Sequence, residues 1–204
     1  MRMDTQLARL LAARLCHDLG GVTGTLTGTL DLVQGPQDEM LGLAQEAAAG
    51  LRDRLRLYAA AWGGTTGDAE AAALARLLEA SPASPRVRFD LGPLSPGRAL
   101  PAVLVPVLLN AGLLAAEALP RGGLVMLSGG AEDGIEVRPE GRDAAWPAGL
   151  QALLRGGTLP VALQEGPRRV VAPFLLLLAA EAGWTVSLAQ GTGEGAAPLL
   201  LAPG

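Results

Sequence analysis

Residues 7–33 read LARLLAARLCHDLGGVTGTLTGTLDLV, in which apolar side chains recur at steps of three and four. This spacing is typical of one buried face of an α-helix. The stripe comprises Leu7, Leu11, Leu15, Leu19, Val22, Leu26, Leu30 and Val33. A second stripe follows, made of Met40, Ala44, Ala47, Leu51, Leu55, Tyr58 and Trp62. Between them lies the turn 34–37, where Gly35 can end one helix and Pro36 can begin the next, so the sequence predicts an antiparallel helical hairpin.

A hairpin of only two helices has too little area to enclose a core of its own. We therefore expect two copies of the chain to pair as a homodimer, with the two hairpins forming a four-helix bundle. The segment 63–67 reads GGTTG and is typical of a linker. The predicted domains are thus 1–64, the dimerisation hairpin, and 65–204, a second domain.

The second domain mixes short helical and strand patterns. Helices are predicted at 68–80, 103–119, 148–155 and 173–182, and strands at 86–90, 124–128, 135–138, 184–189 and 198–202. This order predicts an α+β sandwich with helices on one face of a mostly antiparallel sheet. The fold class expected for the chain is α+β.

Composition excludes several classes of function. A formal net charge of -4 and a pI near 5.0 argue against nucleic-acid binding, which needs clustered cations. The single Cys16 and the single His17 offer neither an internal disulfide nor a Cys/His zinc cluster, which fits a cytoplasmic protein. The longest apolar stretch, 99–119, contains Asn110 and Glu117, so we expect a buried helix there and no membrane span. The charged N-terminus lacks the apolar core of a signal peptide.

The histidine lies on the opposite side of its helix from the leucines. At 100° per residue, His17 falls about 200° from the mean direction of the stripe and should point outward. Gly21, Gly24 and Gly28 follow on nearly the same face. Each glycine inside a helix costs roughly 0.5–1 kcal/mol relative to alanine, so some function should offset that cost. The glycines either let a partner protein approach the imidazole closely or mark a break in the helix.

A neutral imidazole nitrogen can accept a phosphoryl group and pass it on, which makes His17 the candidate catalytic residue. Asp18 could orient or activate the ring, or it could be a solvated carboxylate. Arg14, one turn earlier, could contact the phosphoryl group or an acidic partner, and the alternative is an ordinary surface arginine.

The segment 11–19, LAARLCHDL, followed by a glycine-containing helix and Leu30-Asp31-Leu32-Val33, resembles the phosphoacceptor helix of ChpT-type histidine phosphotransferases of alphaproteobacteria. The Cys-His-Asp triplet carries most of this resemblance. Members of that family are similar to histidine kinases that have lost kinase function, with a dimerisation and phosphotransfer bundle joined to a degenerate ATPase-like α/β sandwich. The resemblance implies that His17 is the phosphorylated residue.

The second domain extends the resemblance. Asn110, in the run 108–111, corresponds to the kinase asparagine that helps to hold the magnesium of the nucleotide. However, the adenine-binding Asp-x-Gly-x-Gly motif is replaced by Pro139-Glu140-Gly141-Arg142, and the glycines at 156–157 and 191–195 do not resemble a nucleotide lid. The tail glycines are better explained as a loop between the last two strands. The resemblance implies little or no ATP binding, a vestigial Asn110 and no cofactor, with Mg²⁺ only on the receiver domain of the partner.

The implied function is a phosphorelay. The receiver domain of a CckA-like hybrid kinase would donate to His17, which would donate in turn to CtrA-like or CpdR-like response regulators. Two alternatives stay open: an ATP-dependent histidine kinase core, and a dimeric adaptor without catalysis.

Overall fold

The structure is a computed structural model that describes residues 2–35, 39–64, 67–189 and 195–204. Two long helices, α1 (Arg2–Leu30) and α2 (Glu39–Trp62), pack against each other as an antiparallel hairpin. The hairpin predicted from the two apolar stripes is therefore confirmed. The centre of the predicted turn at 34–37, part of the predicted linker at 63–67 and most of the glycine tail at 191–195 lie outside the described residues.

The second part of the chain contains the predicted helices and strands, with ends shifted by a few residues. They are α3 (Ala71–Leu78), β1 (Val87–Asp90), α4 (Leu104–Glu117), β2 (Gly123–Gly130), β3 (Gly134–Glu140), α5 (Ala148–Leu154), α6 (Leu159–Ala162), α7 (Val171–Glu181), β4 (Trp184–Leu188) and β5 (Leu199–Pro203). The short α6 and two 3-10 turns, Leu163–Glu165 and Pro167–Arg169, were not predicted from the sequence.

The five strands form one sheet in the order β1-β2-β3-β5-β4, in which only the β1–β2 pair is parallel. One face is apolar and buried, with Val125, Leu127, Val137, Leu199 and Leu201 at its centre. Helices α4 and α7 contact the sheet, and the alternate residues of the strands face away from them. The α+β class and the mostly antiparallel sheet agree with the sequence prediction.

Helix α4 is the central element of the core. Every residue from Leu104 to Ala116 is buried, because α2, α3 and α7 surround the helix on the sides that the sheet leaves open. Gly112 lets α3 approach closely, since a Cβ at that position would lie 2.9 Å from both methyl groups of Leu78. The apolar stretch is thus a core helix, as predicted, and no helix in the described ranges has the length and apolarity to cross a membrane.

The hairpin and the sandwich share this core. Leu57, Tyr58 and Ala61 at the end of α2 belong to the same cluster of buried residues as α4. The predicted domain boundary at 64/65 touches residues outside the described ranges and stays a prediction. The shared core holds the base of the hairpin against the sandwich.

Candidate functional site

His17 stands on the outer face of α1, with 60% of its side chain exposed. Its Nδ1 atom lies 2.9 Å from Oδ1 of Asp18. Helix α1 continues without interruption past this point to Leu30, so the glycines that follow do not break it. The outward position agrees with the phase of the helix, and it leaves the other ring nitrogen, Nε2, open to a partner.

Asp18 is not the solvated carboxylate that the sequence allowed. Its side chain is only 4% exposed, and its Oδ2 accepts hydrogen bonds from Nε of Arg14, at 2.6 Å, and from the Tyr58 hydroxyl. Burial by itself would raise the pKa of Asp18, but the hydrogen bonds from Tyr58, Arg14 and His17 outweigh burial and lower it. Asp18 is therefore ionised at neutral pH and can accept the Nδ1–H of His17, which leaves the Nε2 lone pair free.

Arg14 points inward rather than towards a partner or the solvent. Its side chain is 15% exposed, and its Nη1 lies 2.8 Å from Oε1 of Glu117 and 3.1 Å from the carbonyl oxygen of Arg168. Burial would lower the pKa of Arg14, but Glu117 and Asp18 raise it, so the guanidinium stays charged. This position favours a role for Arg14 in holding Asp18 over direct contact with a partner protein.

Two residues of α2 complete the support of Asp18. Burial, followed by the bond to Asp18, raises the pKa of Tyr58, so its hydroxyl stays protonated and donates. Arg54 donates from Nη1 to the backbone carbonyl of Asp18, at 3.0 Å, and from Nε to the carbonyl of Ala80, at 3.2 Å. The sequence pattern indicates Tyr58 only as a member of the apolar stripe, and its contact with Asp18 was not predicted.

The glycine face beside His17 is open. Among the residues that the structure describes, a Cβ added to Gly21, Gly24 or Gly28 would have no neighbour within 4 Å. The threonines between them bond back to their own helix, for example Thr25 Oγ1 to the carbonyl of Gly21 at 3.1 Å. No contact among the described residues therefore requires glycine at these positions.

Asn110 is a structural residue of the core. Its Nδ2 donates to the carbonyls of Ala61, at 3.0 Å, and Pro106, at 2.8 Å, and its Oδ1 accepts from Trp62 Nε1 at 3.0 Å. These bonds employ both ends of the amide, so the side chain does not fit the magnesium-holding role of its kinase counterpart. In the described ranges, His, Cys, Asp and Glu form no cluster of three or more suited to a metal.

The site is an exposed imidazole backed by a buried carboxylate, on a helical hairpin packed against an α+β sandwich. The model of the histidine phosphotransferase C-terminal domain matches residues 68–194. Because this match covers more than half of the chain, the chain belongs to the histidine phosphotransferase family. It is also similar to a solved structure described as "1.7 Angstrom Structure of a Bacterial Phosphotransferase", with 25% identity, a TM-score of 0.72, and coverage of 96% of this chain and 94% of that one. No curated protein matches it.

Proposed function

We propose that this chain is a cytoplasmic phosphorelay intermediate of the ChpT type, in which His17 carries a phosphoryl group between the aspartates of receiver domains. The donor would be the receiver of a CckA-like hybrid histidine kinase, and the acceptors would be CtrA-like or CpdR-like response regulators. The observation that carries the proposal is the exposed imidazole of His17, bonded through Nδ1 to the buried carboxylate of Asp18.

The proposed chemistry uses Nε2 of His17 as the nucleophile. Its lone pair attacks the phosphorus of the donor's aspartyl phosphate, and the electrons of the broken P–O bond return to the aspartate carboxylate. Nδ1 keeps its proton, so the ring takes a positive charge that Asp18 faces at 2.9 Å. In the second transfer, an acceptor carboxylate attacks the phosphorus, and the electrons of the N–P bond return to Nε2. The magnesium that neutralises the transferring group belongs to the receiver domain.

Gly21, Gly24 and Gly28 form the proposed docking face, because they let a receiver domain bring its phosphoaspartate close to His17. We expect Gly24→Leu to raise the free energy of unfolding by about 0.5–1 kcal/mol, since the position is open and leucine favours helix. The same change should raise the receiver concentration at half-maximal transfer by about tenfold, a loss of ~1.4 kcal/mol of binding. Thermal unfolding and single-turnover transfer would measure the two effects.

Gly50→Leu is the matched control, because Gly50 is also an open helical glycine but lies in α2. It should stabilise the chain by a similar amount and leave transfer unchanged. Equal transfer by the two variants would argue against docking on this face.

The hairpin supports the proposal of a homodimer. Among the described side chains of α1 only Asp18 is buried, and α2 buries only Ala44 before Leu57. An open apolar groove of about 430 Å³ lies between the two helices, lined by Leu26, Ala48, Leu51, Arg52, Leu55, Arg56 and Ala59. A second copy of the same hairpin would cover this groove and complete a four-helix bundle.

We expect wild type to have twice the chain mass of 20.7 kDa, and Leu55→Asp to be a monomer, because a carboxylate would enter the middle of the proposed apolar interface. Leu55 is 46% exposed in the single chain, so the change should not disturb the fold of the subunit. Light scattering after gel filtration gives the mass. Val161→Asp, at an exposed position of the sandwich, should leave the mass unchanged. A wild-type monomer would contradict the dimer.

The direct test of the proposed function is transfer from a phosphorylated receiver domain to the purified chain. The expected product is an acid-labile, base-stable label on the chain, the behaviour of a phosphohistidine. An ATP-dependent kinase core would instead label itself from ATP, and the engagement of Asn110 in core hydrogen bonds argues against that alternative. An adaptor without catalysis would bind receivers and take up no label. Absence of transfer from every receiver of the source genome would refute the relay.

A further inference from the structure

Arg14 connects the proposed phosphoacceptor to the second domain. Its guanidinium uses Nε for Oδ2 of Asp18 and Nη1 for Oε1 of Glu117, a residue 103 positions away at the end of α4. Both side chains of the Arg14–Glu117 pair are largely shielded, with 15% and 18% exposure. The contacts form a continuous path from Glu117 through Arg14 and Asp18 to the ring of His17.

The planar guanidinium of Arg14 fixes the directions of its hydrogen bonds relative to one another. Its donors form a rigid fork, so an acceptor that fixes Nη1 also fixes the direction in which Nε points. Glu117 and the carbonyl of Arg168 hold Nη1, and Nε is then aimed at Asp18. Without Glu117, only the carbonyl of Arg168 would hold Nη1, so the guanidinium could rotate more easily, present a second N–H to Asp18 and turn the carboxylate away from the His17 Nδ1.

We propose that Glu117 is a positioning residue for phosphotransfer: through Arg14 it holds Asp18 where the carboxylate accepts the Nδ1–H of His17 and keeps the Nε2 lone pair available. This inference rests on the proposed function for its consequence in transfer. The arrangement of the ring, however, can be measured without any partner protein.

The single histidine of the chain makes that measurement direct, because ¹⁵N-histidine labelling gives the signals of one imidazole. In the wild type, the Nδ1–H tautomer of the neutral ring should predominate. Glu117→Met, which keeps the length of the side chain and removes the acceptor, should lower the ratio of the Nδ1–H to the Nε2–H tautomer at least about twofold. It should also lower the rate constant of transfer at saturating receiver about tenfold and leave the half-saturating concentration unchanged.

Glu132→Gln is the matched control, because Glu132 and Arg98 form an ion pair of the same 2.8 Å length on the exposed surface. It should alter neither the tautomer ratio nor the transfer rate. Glu117→Gln keeps an oxygen acceptor and loses the charge, so its values should lie between those of wild type and Glu117→Met. Intermediate values in Glu117→Gln would distinguish a positioning role from a general effect of lost stability, because lost stability would not explain a partly restored Nδ1–H tautomer.

A folded Glu117→Met with the tautomer ratio of wild type would overturn the inference, and would mean that Glu117 only compensates the nearby charges of Arg14 and Arg169. If Glu117→Met does not fold, Glu117→Ala, which also removes the acceptor, decides, and a wild-type ratio in that variant overturns the inference as well. If wild type takes no label from any receiver, the proposed function fails, and the tautomer ratio still decides whether Glu117 positions the ring.

Discussion

We expect the His17→Ala variant to take up no phosphoryl group from a phosphorylated receiver domain. The chain has no other histidine, so the change removes the only imidazole nucleophile. We expect the rate of label uptake to fall by at least about 10³-fold, to the background of the assay. Incubation with a ³²P-labelled receiver, followed by gel separation and acid treatment, measures this rate.

The loss should not reflect unfolding. The His17 side chain is mostly exposed, so the free energy of unfolding should change by less than about 0.5 kcal/mol. Cys16→Ala is a suitable control, because Cys16 is the exposed neighbour of His17 and carries the only thiol of the chain. It should transfer at the wild-type rate. Acid-labile label on His17→Ala would assign the phosphoryl group to another residue and end the relay proposal.

Retained binding would sharpen this result. If His17→Ala still binds the receiver with wild-type affinity, then His17 is needed for transfer and not for binding. This result is expected if the partner docks on the glycine face beside the ring. If the variant also keeps the biological output of the wild type, the adaptor alternative becomes the better explanation.

Local pattern alone predicted most of the fold. The steps of three and four between apolar residues predicted both long helices, and the phase of the first helix placed His17 outside. The strands at 124–128 and 135–138 were predicted as two hairpin strands joined by a glycine-rich loop, and they pair as an antiparallel hairpin. The parallel β1–β2 pair could not be predicted, because it depends on how α4 crosses between the two strands.

The hydrogen bonds that hold Asp18 and Arg14 in place were harder to predict, since they join residues that are distant in the sequence. Tyr58 reaches Asp18 across 40 positions and Glu117 reaches Arg14 across 103. One local signal did exist: Asp18 follows Leu15 by three residues and precedes Val22 by four, so it lies within the apolar stripe. A charged residue at such a position indicates a buried carboxylate with partners. The partners themselves follow only from the packing of α2 and α4.

Asp18→Asn should disable transfer while preserving the fold. The amide oxygen would face the Arg14 and Tyr58 donors, so the amide NH₂ would face His17 and donate to Nδ1. The neutral ring would then carry its proton on Nε2, where the lone pair is needed. We expect the transfer rate constant to fall about 10²-fold or more for this reason, and single-turnover transfer at saturating receiver measures it.

The difference in the free energy of unfolding between wild type and Asp18→Asn should become smaller at low pH. We expect a loss of about 2 kcal/mol in the free energy of unfolding at pH 7, because a buried charge-assisted network loses its anion. The pKa of Asp18 is lowered in the folded chain, so this stabilisation is complete above the unfolded value of about 3.9 and is lost as the pH falls through the folded value. Urea unfolding should therefore give a constant gap between wild type and variant down to about pH 5, and a smaller gap below about pH 4.

Asp53→Asn provides the comparison, because Asp53 pairs with Arg52 and Arg56 in a half-exposed position where an ion pair is worth less than about 1 kcal/mol. Glu117, whose pKa is raised by burial against the pull of Arg14, titrates in wild type and variant alike and largely cancels in their difference. A gap between wild type and Asp18→Asn that widens as the pH falls would require a raised pKa for Asp18 in the folded chain. In that case the carboxyl would keep its proton to a higher pH than a free aspartate, and the protonated form could not fix the Nδ1–H tautomer on which the nucleophile depends.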